Sequence, residues 1–208
     1  LHHRTDKELL NPLNYLYKIS RRLIKHTTVP IYNLVVFILF TFRKYLLGFS
    51  NALKFLERVS KSSIIPILKM NGAIVGKNCD IETGITFHNC IDFNNLHLGD
   101  NCHIGKNCFI DLRDRIIIEN NVVISMGTTL ITHQDLSKSG LRTLYPESSS
   151  EIHIMDNCYI GANSTIIKGV SIQDRSIVAA GSVVTSNVPS HVVVGGIPAK
   201  HIKDVTSK

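Results

Sequence analysis

The chain has 208 residues, 44% hydrophobic and 19% charged, with a formal net charge of +7. That length makes one large domain or a domain with an appendage, and the apolar fraction excludes global disorder and allows a sizeable core. The charge is lopsided: residues 1–70 hold 12 Lys/Arg against 3 Asp/Glu, and residues 71–208 hold 11 against 13. The basic excess therefore belongs to the N-terminal segment and suits an anionic partner there, a membrane surface or a phosphorylated acceptor, rather than nucleic acid, for which the segment has no motif.

The chain begins at Leu1, not Met. This suggests a natural N-terminus that is missing or replaced, with His2 and His3 as a tag remnant. Residues 1–28 read as an amphipathic helix, with Leu9, Leu10, Leu13, Leu16, Tyr17 and Leu23 at helical spacing and Lys18, Arg21, Arg22 and Lys25 between them. Val29 to Phe42 is more apolar still, with seven unbroken apolar residues from Leu34 to Phe40. A spanning helix needs roughly 20 apolar residues. The first reading is therefore a helix packed on the protein or on a neighbouring subunit, the second an interfacial membrane helix, and the third a span. No small-residue cleavage site follows, which disfavours a signal peptide. Leu46 to Leu68 continues with Leu53, Leu56 and Val59 at helical spacing, and Pro66 is expected to close it.

Past Gly72 the period changes to six. Val75-Gly-Lys-Asn-Cys-Asp opens the run, Ile81 and Phe87 start two imperfect units, and Phe93-Asn-Asn-Leu-His breaks the phase. Leu98-Gly-Asp-Asn-Cys-His and Ile104-Gly-Lys-Asn-Cys-Phe restore it; Ile110 opens an irregular unit with Asp114 in the small-residue slot; Ile116 and Ile117 shift the phase by two before units at Ile118, Ile124 and Leu130. From about Gln134 to His153 the repeat stops, and Ser137, Lys138, Ser139, Gly140, Pro146 and Ser148–Ser150 mark a long loop. An insertion of that length in a regular repeat reads as functional. Five consecutive units then begin at Ile154, Ile160, Ile166, Ile172 and Val178, each with a small or β-branched residue four places on: Cys158, Ser164, Val170, Ser176 and Ser182.

Neither a helix nor a half-buried strand repeats every six residues. The period predicts an all-β solenoid, a short strand and a turn per unit with one large aliphatic side chain pointing inward. Three units make a coil, so residues 75–135 and 154–195 supply roughly six coils, whose ends need caps. The N-terminal helices are placed to cap one end. Cys79, Cys102, Cys108 and Cys158 fall in the small-residue slot, which makes them buried small hydrophobes rather than metal ligands or disulfide partners and suits a reducing cytoplasm.

The hexads [Ile/Leu/Val]-Gly-x-Asn-small-x, the His-bearing unit before a long loop, Ile160-Gly-Ala-Asn-Ser, Val178-Ala-Ala-Gly-Ser-Val-Val-Thr and Gly195-Gly-Ile-Pro-Ala-Lys together resemble the hexapeptide-repeat acyltransferases. The likeness is to maltose and galactoside O-acetyltransferases and to the O-acetyltransferases of bacterial capsule and exopolysaccharide clusters, and it covers residues 75–205. It implies a left-handed parallel β-helix over 71–208, an exception to the usual right-handed crossover, after an N-terminal helical segment over 1–70. It also implies a homotrimer with active sites between subunits, acetyl-CoA as donor, a saccharide acceptor and no metal. By the same resemblance His133, in Leu130-Ile-Thr-His, matches the catalytic histidine. Asp111 falls where galactoside-type members bind acceptor through Asn, although a carboxylate can only accept where an amide also donates. Ala162 and Ala180 match positions beside the pantetheine arm; Thr185 and Ser186 match a Thr-Lys pair near the cofactor; Lys200 and Lys203 match two arginines facing the CoA phosphates, keeping the charge without the bidentate fork. Tyr159 stands where many members have Trp.

Acetyl transfer from a thioester to a hydroxyl needs a base, oxyanion donors and juxtaposed substrates. Histidine can be neutral when attack begins, so the expected route is direct transfer with His133 as base and then acid. No cysteine sits at a nucleophile position, which disfavours an acyl-enzyme. An orienting partner for His133 is expected from a backbone carbonyl ahead of nearby Asp135. Tyr145 and Glu147 are candidates to shape the acceptor pocket, with His153 a weaker one. His88, His97, His103, His191 and His201 read as surface residues. Alternatives are an N-acetyltransferase on an amino sugar, a xenobiotic acetyltransferase, a zinc-dependent β-helix enzyme (which would need three converging histidines) and a non-catalytic scaffold. The expected location is the cytoplasm, peripheral at the inner face of the membrane if residues 1–70 make an interfacial contact.

Overall fold

The structure, a computed structural model, describes residues 12–205, with side chains described from residue 28. Of the amphipathic positions, Leu9 and Leu10, like His2 and His3, lie outside the described residues, and Leu13, Leu16, Tyr17 and Leu23 fall in helical backbone whose side chains are not described. Three helices come first: α1 (Pro12–Leu46), α2 (Phe49–Leu56) and α3 (Lys61–Met70). Gly48, at φ +85°, turns the chain between α1 and α2, a conformation that costs glycine little. Pro66 does not close the helical segment as expected; it sits inside α3. A proline leaves the carbonyl four residues back without its helical donor. Here that carbonyl, Ser62 O, accepts from Asn33 Nδ2 of α1 at 3.3 Å, so a neighbouring helix supplies what the proline withholds.

Beyond α3 the chain winds into a triangular prism, a left-handed parallel β-helix. Its three faces are parallel sheets of very short strands. The first face stacks Ile74–Val75, Leu96–Leu98, Ile116–Ile118, Ile152–Ile154 and Ser171–Ile172; the second runs from Asp80–Ile81 to Val192–Gly195; the third stacks Thr86–His88, Phe109–Asp111, Thr129–Leu130, Thr165–Ile166 and Val183–Val184. Register places unit-leading residues directly over one another: Val75, Leu98, Ile118, Ile154 and Ile172 form one aliphatic column. Ile81, Ile104, Ile124, Ile160 and Val178 form the second. All of these are buried, so the dry core has one large side chain per unit, as the period required.

The phase shift of two at Ile116 has a simple cause. On the first face, three strands are three residues long, and Leu96, Ile116 and Ile152 point inward beside Leu98, Ile118 and Ile154, all at most 2% exposed. Two added residues preserve the alternation of a strand, so the insertion lengthens the strand without turning it inside out. The repeat thus resumes at Ile152 rather than Ile154. The hexad asparagines sit at corners in the left-handed region, among them Asn78, Asn101, Asn121 and Asn157 at φ +54° to +60°, where Asn is favoured among non-glycine residues. In the slot that follows, Cys102 donates to Glu119 O at 2.8 Å and Cys158 to Gln173 O at 3.0 Å. Burial pushes both thiols up to about 11.

The helices close the first end of the prism. Phe93 is fully buried and packs edge-on against Phe87 (5.0 Å between ring centres) and at a tilt against Phe49 of α2 (5.5 Å). At the other end Val192–Gly195 pairs with an antiparallel return, Lys200–Asp204, after the turn at Gly196.

Candidate active site

Three successive coils each bring one polar residue to the corner between the third and first faces. Asn89 follows Thr86–His88, Asp111 ends Phe109–Asp111, and His133 follows Thr129–Leu130. His133 and Gln134 then pair antiparallel with Ser148 and Ser149, and the chain between them is the extruded loop. The loop expected from about Gln134 to His153 therefore leaves the prism at the histidine itself.

His133 Nδ1 donates to Asp111 Oδ2 at 2.6 Å, with 21% of the His133 side chain exposed and none of Asp111's. The same carboxylate oxygen accepts the Thr132 N–H at 2.9 Å and the Thr132 hydroxyl at 2.9 Å, while Oδ1 accepts Asn89 Nδ2 at 3.0 Å. The Asn89 amide also lies 3.3 Å from each ring nitrogen of His133, astride the ring rather than on one lone pair. Burial pushes the Asp111 carboxyl up, but the hydrogen bonds from His133, Asn89 and Thr132 outweigh it and hold the group below the usual carboxylate range. A carboxylate on Nδ1 fixes the neutral imidazole with its proton there and its lone pair on Nε2. The arrangement is an oriented imidazole at a surface corner.

Several sequence-based expectations change here. The partner of His133 is a carboxylate, not a backbone carbonyl. Asp135 instead accepts the Ser137 N–H at 2.7 Å in its own turn. Asp111, expected to contact the acceptor, is wholly buried and turned onto the histidine, so its carboxylate is not open to a bound sugar. Glu147 is ion-paired with Arg113, and Tyr145 is 57% exposed on the loop. His153 pairs with Glu119 at 2.7 Å on the first face. His103 pairs with Asp80 at 3.2 Å and His97 bonds Asn94 O at 3.0 Å, so these two do not converge on His133. Among the described residues no group of three His, Cys, Asp or Glu is placed to hold a metal ion.

Ala162 and Ala180 stack at the corner between the second and third faces, where Gly181 N–H donates to Ala162 O at 2.8 Å. The backbones are close: a Cβ on Gly161 would lie 2.8 Å from both Ala179 C and Ala180 Cα. Thr185 and Ser186 are exposed after the last third-face strand. Ser186 and Lys200 line a cavity of about 180 Å³ at the open end of the prism, and Lys203 is exposed on the return strand. A second cavity, about 310 Å³, lies between α2 and the first coil, lined by Lys54, Glu57, His88, Asn89 and Cys90 among others. Burial, then the charges of Asp92 and Asp111, pushes the Cys90 thiol up to about 12, which makes it a poor nucleophile.

Sequence reasoning missed Asn89 and Thr132. The signal available was separation: Asn89, Asp111 and His133 are spaced by 22 residues each, about one coil.

A prism of short parallel strands with a corner histidine and an extruded loop defines a hexapeptide-repeat enzyme. The family model described as "Hexapeptide repeat of succinyl-transferase" matches residues 96–131 and 152–186. The galactoside O-acetyltransferase of Escherichia coli K12 is 31% identical over 147 residues, 68% of each chain. The solved galactoside acetyltransferase in complex with coenzyme A superposes with a TM-score of 0.64 at 27% identity, covering 74% of this chain and 77% of that one. A hexapeptide-repeat acetyltransferase of Vibrio cholerae, complexed with acetyl-CoA, gives 0.62 at 26% identity over 73% and 81%. This chain belongs to the hexapeptide-repeat acetyltransferases, of the galactoside and maltose O-acetyltransferase type.

Proposed function

We propose that the protein transfers an acetyl group from acetyl-CoA to a hydroxyl of a saccharide, in a direct reaction at His133. Nε2 of His133 takes the hydroxyl proton as the oxygen attacks the thioester carbonyl. The tetrahedral intermediate collapses, the C–S bond breaks, and the imidazolium returns the proton to the leaving thiolate. Asp111 holds the ring and stabilises its charged form, as a buried carboxylate does for a catalytic histidine. Backbone N–H groups supply the oxyanion donors. The pantetheine arm runs past Ala162 and Ala180, where small side chains leave the backbone open to it, and Thr185, Ser186, Lys200 and Lys203 serve the nucleotide end. The groove is completed by a neighbouring copy in a homotrimer, whose extruded loop brings Tyr145 towards the acceptor. The acceptor is a polysaccharide, capsule or lipid-linked oligosaccharide.

The observation that carries this reading is the 2.6 Å bond between His133 and the buried Asp111 carboxylate, at the corner beside the extruded loop. The test is thiol release from acetyl-CoA against a panel of neutral, acidic and amino-bearing oligosaccharides. His133→Ala should lower turnover by about 10²–10⁴-fold while acetyl-CoA binding, measured by titration, persists. Unchanged turnover in that variant rejects His133 as base, and transfer confined to amino sugars rejects the hydroxyl.

A further inference from the structure

Helix α1 has two apolar sides and the chain covers only one. From His26 to Phe42 the helix carries no Lys, Arg, Asp or Glu. On the inner side Val36 and Phe40 are buried, Asn33 Oδ1 accepts the Ser62 and Ser63 hydroxyls at 2.9 and 2.8 Å, and Lys44 donates to Asn71 Oδ1 at 2.7 Å. Arg43 donates to Asn51 Oδ1 at 2.9 Å. On the outer side Ile31, Leu34, Val35, Ile38, Phe42 and Tyr45 form a continuous ridge at helical spacing, each between 48% and 76% exposed. A ridge of this kind on a soluble chain marks an interaction surface.

We propose that α1 lies in the plane of a lipid bilayer carrying anionic headgroups, with this ridge sunk to the acyl boundary. Three observations select that occupant. The stretch Thr28–Leu46 is long and apolar enough to cross a membrane, and only 11% of it is buried, yet its inner side is tied by hydrogen bonds to α2 and α3. Crossing would carry Asn33, Ser62, Ser63, Asn71 and the Arg43 and Lys44 cations bonded beside them into hydrocarbon, where polar and charged groups are costly; lying along the interface keeps that side on protein. Basic residues precede the apolar stretch, Lys18, Arg21, Arg22 and Lys25, which complements anionic headgroups, while Arg43 and Lys44 at its far end bond Asn51 and Asn71. A second copy would bring the same cations together, and like charges facing one another oppose pairing.

The reading does not depend on acetyl transfer. The full chain is mixed with phosphatidylcholine vesicles, with or without about 30% phosphatidylglycerol, and floated through a density gradient; acidic lipid at such levels draws basic surface segments. Wild type should float with the anionic vesicles and stay behind with the neutral ones. Ile38→Glu and Phe42→Glu should each weaken partitioning by roughly tenfold or more, the loss of one large apolar anchor. Both should keep wild-type turnover on a soluble acceptor and the wild-type oligomeric state by light scattering. Wild type left at the bottom with anionic vesicles overturns the proposal, as does undiminished flotation of both variants. Dissociation of the variants into smaller oligomers assigns the ridge to a second copy and overturns it too.

Discussion

One carboxylate oxygen of Asp111 takes three donors, the Thr132 N–H, the Thr132 hydroxyl and His133 Nδ1, at 2.9, 2.9 and 2.6 Å. An amide at the same position can accept those three through its oxygen, but it brings no charge to balance an imidazolium. Its nitrogen would also face the Asn89 amide, two donors in opposition. Asp111→Asn should therefore lower turnover by about 10–100-fold, less than the 10²–10⁴-fold that loss of the base itself would cost, with the KM for acetyl-CoA unchanged. The pH dependence has a definite sign. Asp111 is held below its usual carboxylate range in the fold, so its contribution to stability is complete above the unfolded value of about 3.9 and drains away as pH falls through the lower folded value. In urea titrations the gap between wild type and Asp111→Asn should stay constant above about pH 5 and close below it. His133 stands out in the sequence because a family motif and the start of a loop coincide on it. Its partner does not: a coil's worth of chain separates the two residues, and nothing local says that a buried aspartate faces a histidine.

Element-scale regularity was legible for a different reason. A six-residue period leaves one large inward residue per unit, and Ile160, Ile166, Ile172 and Val178 are buried as that period demands. The irregular units were harder, because counting by six treats two extra residues as an error. In the fold they are one more inward side chain on a longer strand, and Leu96, Ile116 and Ile152 fill the space completely. The corners carry information of their own. Asn78 donates to Asn101 at 3.2 Å and Asn101 to Asn121 at 3.1 Å, a ladder of side chains along one edge. At the opposite corner coils touch through backbone, and Gly161 is the tightest point beside the proposed pantetheine track. A methyl there meets Ala179 and Ala180 backbone atoms at 2.8 Å, which cannot rotate away as a side chain would. Gly161→Ala should cost about 1–3 kcal/mol by overpacking, read as a lower thermal midpoint. It should also raise the KM for acetyl-CoA more than it lowers turnover, because the Ala180 corner moves while the His133 pair does not.

At the scale of the whole molecule, helices and prism share one core. A stack of coils is held by nearest-neighbour contacts, so a terminal coil with one exposed face is its weakest member unless something covers it. The cover here is aromatic: Phe40 meets Phe49 edge-on at 6.2 Å, Phe49 meets Phe93 at 5.5 Å, and Phe93 meets Phe87 of the first coil at 5.0 Å. Phe93 is the link between the two, and its N–H also donates to Asn71 O at 2.8 Å. In sequence it appeared only as a break in phase, since a residue that serves the cap has no reason to obey the repeat. Truncating it should cost about 3–5 kcal/mol, as for a fully buried phenylalanine. The loss should be local in origin: in hydrogen exchange, Phe93→Ala should deprotect the amides of α3 and of Ile74–Val75 together, while Ile160 and Val178 in the later coils keep most of their protection. Deprotection of α3 alone would mean that the helices ride on the prism without capping it. Uniform loss along the chain would mean that the coils melt as one unit, and that neighbour-by-neighbour stacking does not govern this fold.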